Sequence, residues 1–350
     1  MMKEALLYER VGAAKLRCGV CQLRCVIPAG GRGACRTRLH HEGRLYSLIY
    51  GQASSVCIDP IEKKPLYHFY PGSSVFSAGS RGCNFRCPGC QNYQISHRAL
   101  DTESAGLQRL EPAESVALAI AHGCQGICWT YNEPAIWFEH TLETARLAKE
   151  RGLYTAYVTN GSLTPEALDT IGPYLDAYRV DIKAFSREAY KRIAGVARFE
   201  EILAVAVRAQ QQWGMHVECV TNVTPTLNDN PAMLRDLARW IRDALGAHTP
   251  WHITRFYPYL DLSHLPPTPV AVLERTYAMA REEGLAYAYL GNLPGHPGED
   301  TYCHGCGRCV IQRRGMAVAR TELADGACIH CGTRIPGRFP GAGGSARQRA

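Results

Sequence analysis

Seven short apolar runs lie between residues 74 and 290, separated by amphipathic stretches that mostly open at or near proline. This rhythm restricts the fold more than any other feature of the chain. The strand-like runs are 74–78, 126–130, 154–159, 177–182, 216–222, 251–256 and 286–290. Helical patterns fall at 112–122, 134–151, 165–171, 200–213, 231–245 and 270–283. Proline near a helix start costs nothing, because its missing N–H is one the helix would leave unpaired. Strand–helix alternation calls for parallel strands joined by crossover helices, hence an α/β fold. About six such units suit a partial (β/α)6-type barrel, with its chemistry at the carboxyl ends of the strands. Periodicity does not by itself separate that barrel from an open doubly wound sheet. The expected divisions are an extension over 1–70, the barrel over 71–297, a small module over 298–337, and a tail over 338–350 with the composition of disordered chain.

The loop after the first run reads Cys83-Asn84-Phe85-Arg86-Cys87-Pro88-Gly89-Cys90, three cysteines at C-x3-C-x2-C spacing. A cube of four irons is usually held by four thiolates. The next residues, Gln91-Asn92-Tyr93, offer no fourth, so one iron would stay open. An open coordination position is a substrate position, by the logic that separates catalytic from structural zinc. A structural zinc would want a fourth ligand nearby, and a bacterial ferredoxin run is C-x2-C-x2-C with a fourth cysteine before proline. The spacing resembles the signature of radical S-adenosylmethionine (radical SAM) enzymes, in which the amino acid end of SAM chelates the open iron.

Two further cysteine groups flank the core. Cys303-x2-Cys306-Gly307 and Cys328-x2-Cys331-Gly332 form two knuckles whose glycines let backbone amides turn toward sulfur. Such a pair makes a tetrahedral four-cysteine site typical of a zinc ribbon, with a rubredoxin-like iron as the alternative. Cys18, Cys21, Cys25 and Cys35 are spaced less regularly, and zinc, an auxiliary cluster or a partial ligand set all suit them. Cys57, Cys124, Cys128 and Cys219 are solitary or lie in apolar runs, so they are expected to pack rather than ligate. The start has no apolar signal-peptide core, and no apolar stretch approaches the ~18–20 residues of a membrane helix. With cysteines grouped for metal rather than for disulfides, these features point to the cytoplasm and away from a membrane. The formal charge of +7 is spread along the chain without a Lys/Arg block, so no nucleic-acid partner is expected.

SAM needs a charge partner for its ammonium, donors for its carboxylate and polar contacts to its ribose. Glu133 follows the second run, Thr159 and Asn160 end the third, and Asp181 and Lys183 close the fourth, where alternation puts both on one face. Each has a bland reading, a rim ion pair or a turn, and their shared position at consecutive strand ends favours function.

The order Cys83 to Cys90, Tyr131-Asn132-Glu133-Pro134, Val158-Thr159-Asn160-Gly161 and Val180-Asp181-Ile182-Lys183 resembles the pyruvate formate-lyase activating enzyme branch of radical SAM proteins. With segments 59–66, 251–258 and 291–296 leading into the terminal cysteine pairs, the chain is similar over about residues 3 to 337 to the radical SAM enzyme of the AmmeMemoRadiSam system. The resemblance implies that Cys83, Cys87 and Cys90 bind a 4Fe–4S cluster and that Glu133 replaces the glutamate of a Gly-Gly-Glu element gripping the SAM ammonium. It further implies that Thr159, Asp181 and Lys183 contact SAM. Tyr131 and Asn132 stand where the family has the two glycines. Implied partners are a flavodoxin- or ferredoxin-type reductant and Memo-type and AMMECR-type proteins. The expected activity is reductive cleavage of SAM to a 5′-deoxyadenosyl radical that takes hydrogen from a partner protein or a small molecule. Activation of a glycyl-radical enzyme is one alternative, and a non-enzymatic zinc and iron–sulfur binding module is another. The ribbon favours a macromolecular partner, because such modules often dock.

Overall fold

All seven runs are strands of one sheet: β1 (Ser74–Gly79), β2 (Gly126–Trp129), β3 (Tyr154–Thr159), β4 (Ala177–Asp181), β5 (His216–Val223), β6 (Trp251–Arg255) and β7 (Ala288–Gly291). The structure is a computed structural model and describes residues 2–97 and 106–339. Neighbouring strands pair in parallel and in chain order from β1 to β7. A doubly wound sheet reverses its strand order at a switch point. Here each crossover steps the same way, and crossovers of one hand then place every helix on the same face. The opposite face becomes the inside of an open barrel. An eighth strand, Ser55–Pro60, pairs antiparallel with β1 along its whole length.

The six crossovers carry α1 (Pro112–Ala121), α2 (Phe138–Glu150), α3 (Pro165–Ile171), α4 (Arg187–Ala194) with α5 (Phe199–Gln211), α6 (Pro231–Trp240) and α7 (Val270–Glu282). Three of them, α3, α4 and α6, start at side-chain caps. Thr164 accepts from the Ala167 amide, Ser186 from Ala189, and Asn230 from Ala232 and Met233; such a cap contributes about 1 kcal/mol. The helix expected over 134–151 is divided, because Glu133 caps the Ala135 amide and the first turn, Pro134–Trp137, winds as a tight 3-10 turn. The one expected over 231–245 ends in a wider turn, Ile241–Leu245, before Gly246.

The amino-terminal chain builds two small antiparallel sheets, one from Tyr8–Val11, Lys15–Cys18 and Val26–Pro28, the other from Lys3–Glu4, Arg38–His41 and Arg44–Ser47. Their Leu16, Ile27 and Leu45 join the main core, and a fully buried ion pair, Arg38 to Glu139 at 2.7 Å, fixes them to α2.

The amino ends of the strands are closed by residues 61–73 and by the carboxyl-terminal module, whose strands are Thr301–Tyr302, Cys309–Arg314 and Ala317–Thr321. Glu218 on β5, with no exposed side chain, accepts from the amides of Tyr67 and His68 and from the rings of His216 and His252. Arg313 reaches in from the module, donating to the carbonyls of Glu299 and Tyr67 and lying 3.9 Å over the Tyr67 ring. Of the tail expected from 338 onward, Arg338 is held by backbone bonds to His68 and Tyr70 and Phe339 packs beside the His68 ring. Residues 340–350 lie outside the described residues. Among the described residues no helix is long and apolar enough to cross a membrane.

Candidate active site

The loop carrying Cys83, Cys87 and Cys90 leaves the carboxyl end of β1 and lies across the mouth of the barrel. Arg86 holds it there, donating to the carbonyls of Cys83 and Ser96 and, on the amino-terminal module, to that of Ala34. The Arg86 amide also donates to Ala194 at the end of α4, where Gly195 takes a left-handed φ of 74°. A Cβ at Gly195 would meet Arg86 only at ordinary contact distance, so the left-handed φ is what calls for glycine there. From the other side the Asp261 amide donates to the Pro88 carbonyl, and Leu262 and Phe256 close over Gly89 so tightly that a Cβ there would sit 2.8 Å from Leu262.

All three thiols are free and half-buried; Cys83 feels the charge of Cys87 and Cys90, and Cys87 that of Cys90. Burial pushes the Cys83 and Cys87 thiols above their ordinary range, with the Lys183 ammonium pulling Cys87 the other way. Buried thiols of this sort suit a metal centre, whose charge deprotonates them. A cube spreads its ligands wider than one ion does, which agrees with the three not forming a single-ion set. Three facing thiols with no fourth cysteine on the loop therefore fit a 4Fe–4S cluster with one iron open.

The expected SAM residues gather at the neighbouring strand ends. Glu133 is buried. One carboxylate oxygen accepts from the Ala135 amide and the Thr159 hydroxyl at 3.0 and 2.7 Å, and the other accepts from the Asn160 amide at 2.7 Å. Burial is the largest influence on it and raises its pKa to about 7 against these three donors. Glu133, Thr159 and Asn160 are thus one unit tying β2 to β3. A carboxylate with no cation beside it fits an incoming ammonium. Asn160 extends the unit, since its amide donates to Asn84 at 2.9 Å and Asn84 donates to Ser162 at 2.6 Å.

Asp181 and Lys183 do share a face, with an ion pair of 3.3 Å, and Asp181 is bridged to Arg179 as well. Arg179 has the same strand parity as the other two, a signal available in the sequence. Burial works against both charges of the pair, and the opposite charge outweighs it in each, leaving Asp181 lowered and Lys183 raised.

Tyr131 keeps a φ of 74°, the backbone path a glycine would take, and its hydroxyl donates to Asp59 at 2.8 Å. Asn132 binds the first loop through Ser80 and the Gly82 carbonyl. The two residues standing in place of glycines thus retain the turn and add a link between the loops after β1 and β2.

The carboxyl-terminal cysteines form a different site. The ligand atoms of Cys303, Cys306, Cys328 and Cys331 all lie within 4.8 Å of one another, the compact shape of a set for one tetrahedral ion. Gly307 and Gly332 adopt φ of 74° and 73°, as the knuckles require, and Thr333 draws the Cys331 thiol toward thiolate. This module sits at the amino ends of the strands, away from the mouth. No three of Cys18, Cys21, Cys25 and Cys35 make such a compact set. Cys124, Cys128 and Cys219 are buried, and Cys57 is exposed on the edge strand rather than packed.

Residues 78–241 match the model of the radical SAM superfamily. Over 336 residues the chain is 39% identical to an uncharacterised protein of Methanocaldococcus jannaschii, spanning 95% of this chain and 99% of that one. It is 26% identical over 166 residues to the pyruvate formate-lyase-activating enzyme of Clostridium pasteurianum, covering 47% of this chain and 67% of that enzyme. Among solved structures, a radical SAM methyltransferase from Sphaerobacter thermophilus aligns at 15% identity with a TM-score of 0.48, over 83% of this chain and 76% of that one. The matched stretch begins on β1, holds the cysteine loop, Glu133, Thr159 and Asp181, and runs through the crossovers to the end of α6. This chain is an enzyme of the radical SAM superfamily.

Proposed function

We propose that this enzyme acts on a partner protein, as the similarity to an activating enzyme suggests. The observation that supports the reading of the mouth is a loop of three free thiols with no fourth on it, with Glu133 acting on Cys83 and Lys183 on Cys87. Bound there, a 4Fe–4S cluster and SAM would supply one-electron cleavage of the sulfonium, yielding methionine and a 5′-deoxyadenosyl radical able to take a hydrogen atom. Cys83, Cys87 and Cys90 would hold the cluster. Glu133 would receive the SAM ammonium, with Thr159 and the Asn160 amide keeping its carboxylate in place. Asp181 and Lys183 would meet the ribose and carboxylate. Phe256 and Leu262 would keep water from the reacting atoms, which protects a reactive intermediate.

The likeness in segments 59–66, 251–258 and 291–296 supports assignment to the AmmeMemoRadiSam system, with Memo-type and AMMECR-type proteins as partners and a flavodoxin or ferredoxin as reductant. Cys303, Cys306, Cys328 and Cys331 would hold a zinc ion, and the many free thiols suit the cytoplasm. The test is isotopic. Anaerobic enzyme, SAM, a chemical reductant and a deuterated Memo-type protein should yield deuterated 5′-deoxyadenosine. Deuterium drawn only from a small-molecule pool would refute a protein target.

A further inference from the structure

The amino-terminal cysteines are drawn to one place by the small sheet that carries them. The Cys18 amide donates to the Cys25 carbonyl, which puts the two residues opposite each other at the end of the hairpin of Lys15–Cys18 and Val26–Pro28. Directly opposed residues hold their Cβ atoms about 4.5–5.5 Å apart on one face. Cys21 lies in the turn between them, closed by a bond from the Arg24 amide to the Cys21 carbonyl. Cys35 comes back from the next turn, where the neighbouring Ala34 amide donates to the Cys25 sulfur at 3.4 Å. All four are free thiols, and Cys18 and Cys35 lie in the main core. Cys18 and Cys21 feel the charge of Cys35, Cys21 feels that of Cys18, and Cys25 that of Cys35.

These four thiols are spaced more widely than a single-ion set, a spacing that accommodates a larger metal group. The contrast with Cys303, Cys306, Cys328 and Cys331 in the same molecule makes this specific. Buried Arg38 supplies positive charge beside Cys18 and Cys35. The location adds the second observation. The Asn84 side chain favours the Cys21 thiolate and is the neighbour of Cys83, whose sulfur lies 3.8 Å from the Asn84 Oδ1. The Cys35 carbonyl and Thr37 crowd Gly82 so closely that a Cβ there would fall within 3.0 Å of both. One asparagine therefore stands between the two sets of thiols.

We propose that Cys18, Cys21, Cys25 and Cys35 hold a second iron–sulfur cube, fully ligated, that passes single electrons to the cluster at Cys83, Cys87 and Cys90. Four thiolates leave no open iron, so this cube binds no substrate and serves as a relay. One electron from an external low-potential one-electron carrier reduces it, and the same electron moves on to the catalytic cluster; no bond forms or breaks and no proton moves. The relay's destination rests on the proposed catalytic cluster, whereas the cube itself does not.

The experiment uses the full chain, reconstituted anaerobically with iron and sulfide, as wild type, as the combined Cys83→Ala, Cys87→Ala, Cys90→Ala variant, and as Cys18→Ser with Cys25→Ser. Iron, acid-labile sulfide and zinc are counted, and the reduced clusters are recorded by paramagnetic resonance with and without SAM. Wild type should hold about eight irons and eight sulfides, and the triple variant about four of each. The triple variant's remaining signal should be blind to SAM, and the double-serine variant should keep a SAM-responsive one. Labile sulfide excludes a lone iron at the carboxyl-terminal set. A triple variant with no labile sulfide, or with zinc on the amino-terminal thiols, overturns the cube. Full iron in the triple variant would instead refute the catalytic assignment and leave the cube standing. The double-serine variant covers the case in which the triple variant does not fold.

Discussion

The two ends of this barrel each bury a glutamate, and the surroundings treat them in opposite ways. At the closed end, Glu218 meets four donors, two of them imidazole rings, and these outweigh burial to hold its pKa well below the ordinary value. At the mouth, Glu133 meets three donors and no cation, and burial raises it to about 7. At the closed end Glu218 is fully partnered, whereas nearby Glu62 keeps one carboxylate oxygen unbonded and is raised by burial. The mouth keeps a carboxylate and the thiols of Cys83 and Cys87 at an energetic disadvantage, which is what a site awaiting a cationic ligand and a metal group requires. Stability should therefore reside at one end and chemistry at the other.

The comparison breaks most sharply at the thiols. Replacing Cys87 with alanine should abolish SAM cleavage, as should the same change at Cys83 or Cys90, while the thermal unfolding of the unloaded protein stays near that of wild type. Glu218→Gln should do the reverse, lowering stability by about 3 kcal/mol through broken charge-assisted bonds. Denaturant titration measures that loss, and folded Glu218→Gln should still cleave SAM.

Acid should act on the closed end. His68 is held by burial at about 3, far below its ordinary 6.5, so its contribution is complete above pH 6.5 and lost as pH falls toward 3. His140 acts in the same sense, and Glu218 joins it below pH 4.5. Glu133, raised to about 7, opposes them between pH 4.5 and 7, since its ionisation costs stability as pH rises. The free energy of unfolding should fall gently from pH 6.5 to 4.5 and steeply below. A His68→Gln variant should flatten the curve, and an unchanged slope would remove His68 from the account.

If Cys303, Cys306, Cys328 and Cys331 hold the proposed metal, chelating it should lower stability and leave the mouth able to cleave SAM. The carboxyl-terminal module also packs into the closed end, through Arg313 and the Tyr67 ring. The smallest effect is set for Asp181→Asn, which should weaken SAM binding about tenfold, one charge-assisted bond's worth. Isothermal titration reads it, and affinity within twofold of wild type would make the Arg179–Asp181–Lys183 row structural.

The strands were legible because parallel strands buried on both faces read as apolar runs. The carboxyl-terminal cysteine set was legible because ligand spacing is local. The barrel became certain only from pairing order, which no local pattern carries. The strand Ser55–Pro60 was hidden by its exposed middle and its polar end at Asp59 and Pro60. Helix α4 was missed although Ser186 and Gly195 mark both its ends. Glu218 sat unnoticed inside an apolar run, because its partners come from residues 67, 68 and 252, distant in the chain. The left-handed Tyr131 was unreadable for the same reason, its hydroxyl being claimed by Asp59.

The central claim is that the mouth thiols hold a cluster with an open iron that SAM occupies. The direct measurement is single-turnover formation of 5′-deoxyadenosine by anaerobically reconstituted, chemically reduced protein, alongside the Cys87→Ala variant. Wild type should form it in proportion to its SAM-responsive cluster, and the variant should form none. Equal product from both, or none from wild type with its cluster fully assembled, would contradict the account.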